Sequence, residues 1–346
     1  MNAREDDHKN DHFFIIFLAL LLEIIILASP MIKLASDSVA HHGKAHLGND
    51  VTVAVAAYGN YQATVSTLQS LFLAASGDFE LLLVDNASPD AQVSELLQQA
   101  RREHENTSLF VFKENREYTG ALNCILSHAK GKWIFFLSND IFVTPYYLRE
   151  IMAAAHANEL HGIIRGTSNF VDNGKASHNI NVQPPPSSYE ELFEYGRMAA
   201  EQLPSGYMID DFLTGDAFFI SKAVIEKIGT LDPIFTGYFA DHDFGIRAQI
   251  AGFQQILVQR AFAYHQQAAN FTYLPDAMRE QKLRQRWDLI GKNWNLFKAK
   301  YGMPADLPYT SILDIPWNHL SSAAFDSHKH YFSPCDCSDE LQVTTV

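Results

Sequence analysis

Residues 133–142 read WIFFLSNDIF, and this stretch decides how the whole chain is interpreted. Bulky apolar side chains stop at Ser138, Asn139 and Asp140 and then resume. A continuous apolar run is typical of a strand that is covered on both faces of its sheet. In open α/β sheets, ligands bind beyond the carboxyl ends of the strands, so polar residues at such an end indicate a binding site.

Apolar runs of this kind alternate with helical patterns from residue 50 onward. Repeated strand–helix units predict a Rossmann-like, mainly parallel sheet with helices on both faces, a mixed α/β fold. Ser88 and Pro89 have the residue types of a helix N-cap and a first helical residue. The predicted strands lie at 51–58, 79–85, 108–115 and 132–140, and the helices at 61–75, 90–104 and 118–131, the last closed by Gly131.

The second half of the chain is less regular than the first. Its predicted strands lie at 162–171, 212–222 and 254–265, and its helices at 189–203 and 275–301. With 346 residues the chain has room for one large domain or two small ones, and its apolar content is sufficient for a substantial core. We therefore divide it into an N-terminal segment (1–47), a catalytic-sized domain (48–303) and a C-terminal tail (304–346).

Polar side chains collect where each of the first four predicted strands ends. Asp and Asn frequently make turns in such places, which accounts for any one of these cases. Four strands in succession that end in this way favour a ligand-binding crevice over turns alone. The residues are Tyr58 and Asn60, Asp85 and Asn86, Glu114 and Asn115, and Ser138 to Asp140.

The charge of the chain and its lack of a glycine loop restrict what this crevice can bind. The formal net charge is −14, which disfavours binding to the phosphate backbone of a nucleic acid. No G-x-G-x-x-G or Walker sequence follows the first strand, so the usual backbone cradle for a diphosphate is missing from the sequence. A divalent metal held by Asp140 would neutralise a diphosphate instead.

A second acidic cluster lies in residues 237–253. Asp241 and Asp243 precede a short helical pattern that Gly252 can end. We expect Asp243 to be the helix N-cap, which leaves Asp241 to accept a proton from a hydroxyl. His265 ends the last predicted strand, and a lone histidine in such a place is ordinarily structural.

Residues 13–32 form an apolar stretch that contains one carboxylate, Glu23. At about 1.5 Å per residue, a helix over this stretch can cross a hydrocarbon layer roughly 30 Å thick. Its Leu, Ile and Phe residues favour insertion by roughly 4 to 8 kcal/mol, which exceeds the cost of about 3 kcal/mol for the carboxylate. We expect an uncleaved membrane anchor; the alternatives are a helix lying on the membrane surface or an upstream region that is not part of the working protein. Arg4 and Lys9 on one side balance Lys33 and Lys44 on the other, so charge leaves the orientation open, and we favour the cytoplasmic face for the catalytic domain.

The chain has three cysteines, which are too few for a disulfide framework. Two of them, Cys335 and Cys337, lie close to His328 and His330 in the tail. Zinc could use such ligands, but the C-x-C spacing is tighter than in the usual structural zinc sites. We favour a polar, flexible tail.

Taken in order, these segments resemble the family-two glycosyltransferases, which use nucleotide sugars and have the GT-A fold. The resemblance extends over residues 50–267 and depends on the order and spacing of the motifs rather than on any one of them. The matching stretches are VAAYGNYQATVSTLQSL, LLLVDNASPD, ENREYTGALNCILSHAKGKWIFFLSND, FLTGDAFFISKAVIEKIGTLDPIF and YFADHDFGIRAQIAGF…AYH.

The resemblance implies roles for the residues at matching positions. Asp241 corresponds to the catalytic base, and Asp140 and His265 to residues at the metal and diphosphate, with Mn²⁺ or Mg²⁺ as the ion. It also implies a single displacement at the anomeric carbon, with inversion of configuration. The residues that would contact the nucleoside or line the donor pocket are Tyr58, Asp85, Asn86, Asn115, Asn123 and Asn139, with Asp85 accepting from the base.

Three residues depart from the family's pattern. Ser138 replaces the first carboxylate of the Asp-x-Asp metal motif, which makes ion binding weaker or more dependent on the diphosphate. Ala240 replaces the glutamate before the base and so removes a neighbouring charge. Glu117 occupies a position where the family commonly has a glycine, and this substitution is expected to alter the backbone conformation of that loop.

The expected activity is transfer of a sugar from a nucleoside diphosphate sugar to a saccharide, lipid-linked or protein acceptor, at a membrane reached through residues 13–32. A weakly active or non-catalytic nucleotide-sugar-binding protein is the first alternative. A nucleotidyltransferase has less support, because such enzymes usually have a glycine-rich and basic phosphate loop and residues 56–62, AAYGNYQ, have neither feature. The sequence leaves the sugar, the base and the acceptor open.

Overall fold

The computed structural model describes residues 38–171, 176–266 and 276–309. Its strands are β1 (Ala45–His46), β2 (Val51–Ala57), β3 (Ala75–Ser76), β4 (Glu80–Asp85), β5 (Thr107–Val111), β6 (Trp133–Ser138), β7 (Ile141–Phe142), β8 (His161–Ser168), β9 (Met208–Ile209), β10 (Ala217–Ser221) and β11 (Gln254–His265). Its α-helices are α1 (Tyr61–Ala74), α2 (Ala91–Glu103), α3 (Glu117–His128), α4 (Pro145–Ala157), α5 (Tyr189–Gln202), α6 (Lys222–Ile228), α7 (Ala240–Ile250) and α8 (Asp276–Lys300).

One large sheet organises these elements, in the strand order β5-β4-β2-β6-β10-β8-β11-β7, with β9 paired to β11. The four strands β5, β4, β2 and β6 are mutually parallel, as the repeated strand–helix pattern predicts. β10 runs antiparallel between β6 and β8, and β11 runs parallel to β8. The predicted mixed α/β fold is therefore confirmed.

The sheet is buried on both faces by two apolar clusters. Alternate side chains of one strand enter different clusters: Val53 and Val55 pack into one and Ala54 into the other. Phe135 and Phe136 of β6 divide in the same way. This period-two division explains why the strands are apolar without interruption, since both faces are covered by helices.

Two helix boundaries differ from the sequence-based expectation. Asp90, not Ser88, caps α2, because its carboxylate accepts a hydrogen bond from the backbone N–H of Gln92 at 3.0 Å. The Ser88 hydroxyl instead accepts from the backbone N–H of Gly59 at 3.1 Å, which ties this loop to the end of β2. α3 ends before Gly131, which lies in the connection to β6.

The opening stretch, residues 133–142, contains two strands rather than one. β6 ends at Ser138, and a turn that includes Asp140 leads into β7. β7 pairs antiparallel with the end of β11, with Ile141 opposite His265. The sequence predicted that Asp140 is the last residue of a strand. In the structure it is instead a turn residue beside the end of β11.

Two helices, α4 and α6, were not among the predicted elements. α4 has a clear sequence signal, since the Thr144 side chain accepts from the backbone N–H of Tyr147 and Pro145 takes a first-turn position. Within the described ranges, no helix combines the length and apolar composition needed to cross a bilayer. The predictions for residues 13–32 and 328–337 lie outside the described residues.

Candidate active site

A cavity of about 780 Å³ opens beyond the carboxyl ends of β2 and β6. Volumes of about 300–1,000 Å³ are typical of small-molecule sites. The walls come from the segments that follow β2, β4 and β6, the starts of α3 and α7, the segment before β10, and one side of α8. Seven of the residues selected from the sequence lie together in these walls: Tyr58, Asn86, Asn115, Asn139, Asp140, Asp241 and His265.

Asp140 and His265 lie side by side in the cavity wall. The Asp140 Oδ2 atom is 3.6 Å from the His265 Nε2 atom, and both side chains are largely buried. The pairing of β7 with β11 produces this proximity, because it places Ile141 opposite His265. The Asp140 carbonyl also accepts from the backbone N–H of Gln266 at 2.8 Å, which fixes the turn.

The orientation of the His265 ring is set by its neighbours. Its Nδ1 atom lies 3.1 Å from the carbonyl of Phe170, and since a carbonyl only accepts, Nδ1 carries the proton. The Asn169 side chain holds the backbone of His265: it accepts from the His265 N–H at 2.7 Å and donates to the His265 carbonyl at 3.0 Å. The Nε2 atom thereby faces Asp140, an arrangement typical of metal-ligating histidines.

The geometry of this pair fits a divalent cation. Two bonds of about 2.1 Å span up to roughly 4.2 Å, so one ion can contact both Asp140 and His265. The pair supplies two ligand atoms; within the described residues, a cluster of three or more His, Cys, Asp or Glu ligands occurs elsewhere and not at this cavity. Further ligands would come from water or from a bound diphosphate. The small number of protein ligands agrees with the presence of Ser138 in place of the first carboxylate of the Asp-x-Asp metal motif.

Asp241 and Asp243 both lie inside α7. The helix begins after Phe239, and no side chain caps it, so the expected N-cap role of Asp243 is wrong. Asp243 is 0% exposed, and its carboxylate accepts from the Arg247 Nε–H at 2.8 Å. Asp243 is therefore a structural residue, whereas Asp241 lies in the cavity wall.

The Asp241 carboxylate lies close to the backbone of two residues, His242 and Gly215. Its Oδ1 atom accepts from the backbone N–H of His242 at 3.0 Å. Its Oδ2 atom faces Gly215, where an added Cβ would lie 2.9 Å from it and would overlap the Tyr118 hydroxyl. Position 215 therefore requires glycine, because only the absence of a side chain leaves room for both oxygens.

The Tyr118 hydroxyl is buried at the same place. It has no hydrogen-bond partner within the described part of the chain. Burial, and after it the carboxylates of Asp241 and Asp216, raise the pKa of Tyr118 well above its usual value. The hydroxyl keeps its proton, so it can donate to an oxygen of a ligand in the cavity.

Asp216 is a cavity residue that sequence reasoning missed. Its Oδ1 atom forms a buried ion pair with Arg165 Nη2 at 3.2 Å. The signal was present in the sequence, because the polar residues TGD interrupt the apolar run of 212–222 as SND interrupts that of 133–142. Both interruptions lie at the ends of paired strands, β10 and β6, so they meet at one edge of the sheet.

The three cavity asparagines shape the walls through their amides. Asn86 accepts from the backbone N–H of Arg116 at 2.9 Å and donates to the Glu117 carbonyl at 3.1 Å. The Asn115 side chain accepts from the backbone N–H of Glu117 at 2.7 Å. The Asn139 amide donates to the Gly59–Thr64 segment at the start of α1.

Asp85 and Asn123, which were also selected from the sequence, do not belong to the cavity lining. Asp85 accepts from the backbone N–H of Ser88 at 2.8 Å and from the Ser94 hydroxyl. Asn123 exchanges hydrogen bonds of 3.0 and 2.8 Å with the backbone of Leu231. In the structure these side chains support the walls, and their expected contacts with the donor stay predictions.

Non-glycine residues with left-handed backbone conformations cluster around the cavity. Such conformations cost about 1–3 kcal/mol each and tend to occur at functional sites. Glu117 has a φ of 55°, which explains why a glycine is common there in the resembling family. Glu117 and Phe239 line the cavity, Ala87 follows the lining residue Asn86, and Asn60 lies two residues after the lining residue Tyr58.

Two cations on α8, Lys282 and Arg286, also line the cavity and were missed by sequence reasoning. The Lys282 Nζ atom is 5.5 Å from the ring centroid of Tyr58. Burial lowers the pKa of Lys282, and the carboxylate of Glu117 partly opposes this shift. These cations bring positive charge to a cavity in which carboxylates are concentrated, and their position depends on how α8 packs.

Comparison with known proteins decides the family. The family model described as Glycosyl transferase family 2 matches residues 52–229, half of the chain. The chain belongs to glycosyl transferase family 2. The predicted resemblance is thereby confirmed.

Two curated relatives match this family 2 protein over part of their length. Succinoglycan biosynthesis protein ExoO of Rhizobium meliloti (strain 1021) is 32% identical over 193 residues, which cover 56% of this chain and 49% of ExoO. The uncharacterized protein y4gI of Sinorhizobium fredii (strain NBRC 101917 / NGR234) is 21% identical over 228 residues, covering 63% of this chain and 24% of that protein. The family 2 protein therefore spans half or less of the relatives it matches.

Two solved structures align with the chain. The crystal structure of GalNAc-T7 with UDP, GalNAc and Mn²⁺ aligns with a TM-score of 0.52 at 13% identity, over 76% of this chain and 53% of that one. The mannosyltransferase PcManGT from Pyrobaculum calidifontis, in complex with GDP-Man and Mn²⁺, aligns with a TM-score of 0.49 at 14% identity, over 89% and 77%. The first of these likenesses agrees with the expected GT-A type of fold.

Proposed function

We propose that this family 2 protein transfers a sugar from a nucleoside diphosphate sugar to an acceptor hydroxyl, with inversion at the anomeric carbon. The observation that carries the proposal is that Asp140, His265 and Asp241 line one cavity. Asp241 would take the proton of the acceptor hydroxyl as that oxygen attacks, since its carboxylate is anchored by a backbone N–H on one oxygen. The Tyr118 hydroxyl would donate to a substrate oxygen beside it.

Asp140 and His265 would hold Mn²⁺ or Mg²⁺ at the diphosphate. Such an ion stabilises the negative charge that builds on the leaving nucleotide. Lys282 and Arg286 would act on the same charge from the side of α8. The crystal structure of GalNAc-T7, which contains UDP and Mn²⁺, supports this choice of donor and ion at the level of the fold.

The acceptor and the cellular setting belong to the proposal as well. The name of ExoO refers to the biosynthesis of succinoglycan, which favours a saccharide or lipid-linked acceptor over a protein. Attachment to a membrane through residues 13–32, with the catalytic domain on the cytoplasmic face, completes the proposal. A weakly active or non-catalytic nucleotide-sugar-binding protein is the outcome that the following experiment would reveal.

The variant Asp241→Asn tests the proposal. UDP and GDP are first compared for thermal stabilisation of the protein in Mn²⁺, and sugar nucleotides of the better base are then assayed for nucleotide release. We expect Asp241→Asn to lower turnover by roughly 10²- to 10⁴-fold, because the proton acceptor is removed, and to leave nucleotide affinity unchanged.

The exposed residue Asp78 provides a matched control, since Asp78→Asn makes the same change far from the cavity and should retain full turnover. Substantial residual turnover in Asp241→Asn would disprove the role of this aspartate. Nucleotide binding without turnover in the unmodified protein would identify a binding protein instead of an enzyme.

A further inference from the structure

A second group of metal-binding side chains lies outside the active-site cavity. His41 and His42 belong to the 3₁₀ turn Ala40–His42, which precedes β1, and Glu190 lies in the first turn of α5. None of the three lines the cavity. Their potential ligand atoms all lie within 4.8 Å of one another.

The distances within this group are those of ligands around one ion. The His41 Nε2 atom is 3.1 Å from Glu190 Oε1, and the His42 Nε2 atom is 3.3 Å from Glu190 Oε2. Two ligands of a tetrahedral zinc ion, each about 2.0–2.1 Å from the metal, lie about 3.3 Å apart. The cluster can therefore surround an ion with little movement of its side chains.

The surroundings of His42 favour metal binding. The ring is buried, and its Nδ1 atom is 3.1 Å from the Tyr146 hydroxyl, which can accept the Nδ1 proton and leave the Nε2 lone pair towards Glu190. The Arg149 guanidinium donates to the His42 carbonyl at 3.0 Å and fixes the turn. Supporting contacts of this kind orient the ligating rings in known metal sites.

Solvent can reach the other side of the cluster. The side chains of His41 and Glu190 are 64% and 38% exposed. A fourth position around an ion is therefore open to water, and the ion can enter and leave without opening the fold. Two imidazoles and one carboxylate select zinc-like ions, whereas Mg²⁺ prefers oxygen ligands alone.

We propose that His41, His42 and Glu190 form a zinc site that is separate from the ion proposed at Asp140. The ion would join the turn before β1 to the first turn of α5, outside the residues that line the cavity. It predicts that zinc stabilises the folded protein, since an ion that binds only the folded state raises its stability.

The variant His41→Gln tests this site, because it removes one ligand from an exposed side chain and retains a polar group that can contact Glu190. His156→Gln is the matched control, since His156 is an exposed histidine at the end of α4. Each full-length protein is stripped with EDTA and titrated with zinc, the bound metal is counted by mass spectrometry, and the Tm is measured with zinc and with EDTA.

We expect the unmodified protein and His156→Gln to bind one more zinc ion per chain than His41→Gln. Zinc should raise the Tm of the first two by several degrees more than that of His41→Gln, and Glu190→Gln should behave like His41→Gln. Ligands elsewhere, such as Asp140 or Cys335, contribute equally to all variants and cancel in the comparison. Equal zinc content and equal Tm shifts in His41→Gln and the unmodified protein would overturn the site and leave a hydrogen-bonded His–Glu cluster.

Discussion

Asp241 and Asp243 lie two residues apart on α7, yet their surroundings give them different roles. Asp243 is 0% exposed and is bound by Arg247 at 2.8 Å and by Lys300 at 2.5 Å. Asp241 lines the cavity, where its nearest titratable neighbours include Tyr118. Asp243, which is paired with two cations, stabilises the fold. Asp241, at the cavity wall, can exchange a proton with a substrate.

At the same scale, Lys282 predicts a pH dependence of nucleotide binding. Burial lowers the pKa of this lysine, so it loses its proton at a lower pH than an ordinary lysine does. Affinity for UDP or GDP in Mg²⁺ should therefore be highest where this lysine is protonated, and it should begin to fall at a lower pH than an ordinary lysine would produce. Calorimetric titrations over a series of rising pH values measure the change.

The variants of Lys282 sharpen that prediction. Lys282→Met should weaken binding by about tenfold at neutral pH, since a charge-assisted contact to phosphate is lost. The affinity of Lys282→Arg for UDP or GDP should not fall at alkaline pH, because arginine stays protonated. Lys292, an exposed lysine of the same helix, is the control, and Lys292→Met should leave affinity unchanged. A fall with pH that persists in Lys282→Arg would exclude this lysine as the cause.

At the scale of elements, α7 and α8 are joined by a buried charge network around Asp243. Its carboxylate accepts from Arg247 on α7, from Lys300 on α8 and from the Tyr301 hydroxyl at 2.9 Å. Arg247 also donates to the carbonyls of Ile228 and Thr230 at 3.0 and 2.7 Å. This network fixes α8, and with it the side of the cavity that carries Lys282.

Asp243→Asn should therefore destabilise the fold. Removing the carboxylate leaves the buried Arg247 without its acidic partner, whereas Lys300 keeps Asp232 at 2.7 Å. Breaking one buried ion pair in this way costs about 3–5 kcal/mol of the free energy of unfolding. Chemical denaturation measures this loss. Glu201→Gln is the contrasting control, since its partner Arg197 is partly exposed on α5 and a surface ion pair of this kind contributes little. Equal stability of Asp243→Asn and the unmodified protein would show that the network does not hold α8.

The boundaries of elements were less predictable than their existence. The strand over 254–265 begins and ends where the pattern predicts, because the apolar runs 256–258 and 261–264 specify it on either side of Gln259 and Arg260. The start of α2 was misplaced, since Ser88 and Asp90 are both good capping residues and the Ser88 hydroxyl is used by Gly59. Tertiary contacts thus decide which of two suitable residues, Ser88 or Asp90, caps the helix.

At the scale of the whole molecule, sheet topology assembles the proposed metal site. Asp140 and His265 are separated by about half of the catalytic domain in sequence, and the pairing of β7 with β11 brings their polar atoms to 3.6 Å. Ile141 and Phe142 are apolar because they form β7, which is buried against the end of β11. This pairing explains why the polar interruption of the opening stretch is so short.

Asp140→Ala should weaken the metal-dependent part of nucleotide binding. In calorimetry with UDP or GDP, we expect the gain in affinity on adding Mn²⁺ to fall by about tenfold or more, because a charged ligand of the ion is lost. Binding in EDTA should be unchanged. Asp78→Ala is the control for loss of an exposed carboxylate. An undiminished effect of Mn²⁺ in Asp140→Ala would contradict the role of this residue.

The sequence by itself determined the alternation of strands and helices, the burial of the sheet on both faces, and the polar interruption at 138–140. These features follow from local patterns, since backbone hydrogen bonding and the period of apolar residues act over a few neighbours. Only the tertiary structure decided that Asp241 and not Asp243 faces the cavity, that Asn123 binds Leu231, and that α8 supplies Lys282. Such contacts join residues far apart in the chain, and strand pairing and helix packing set them rather than any local pattern.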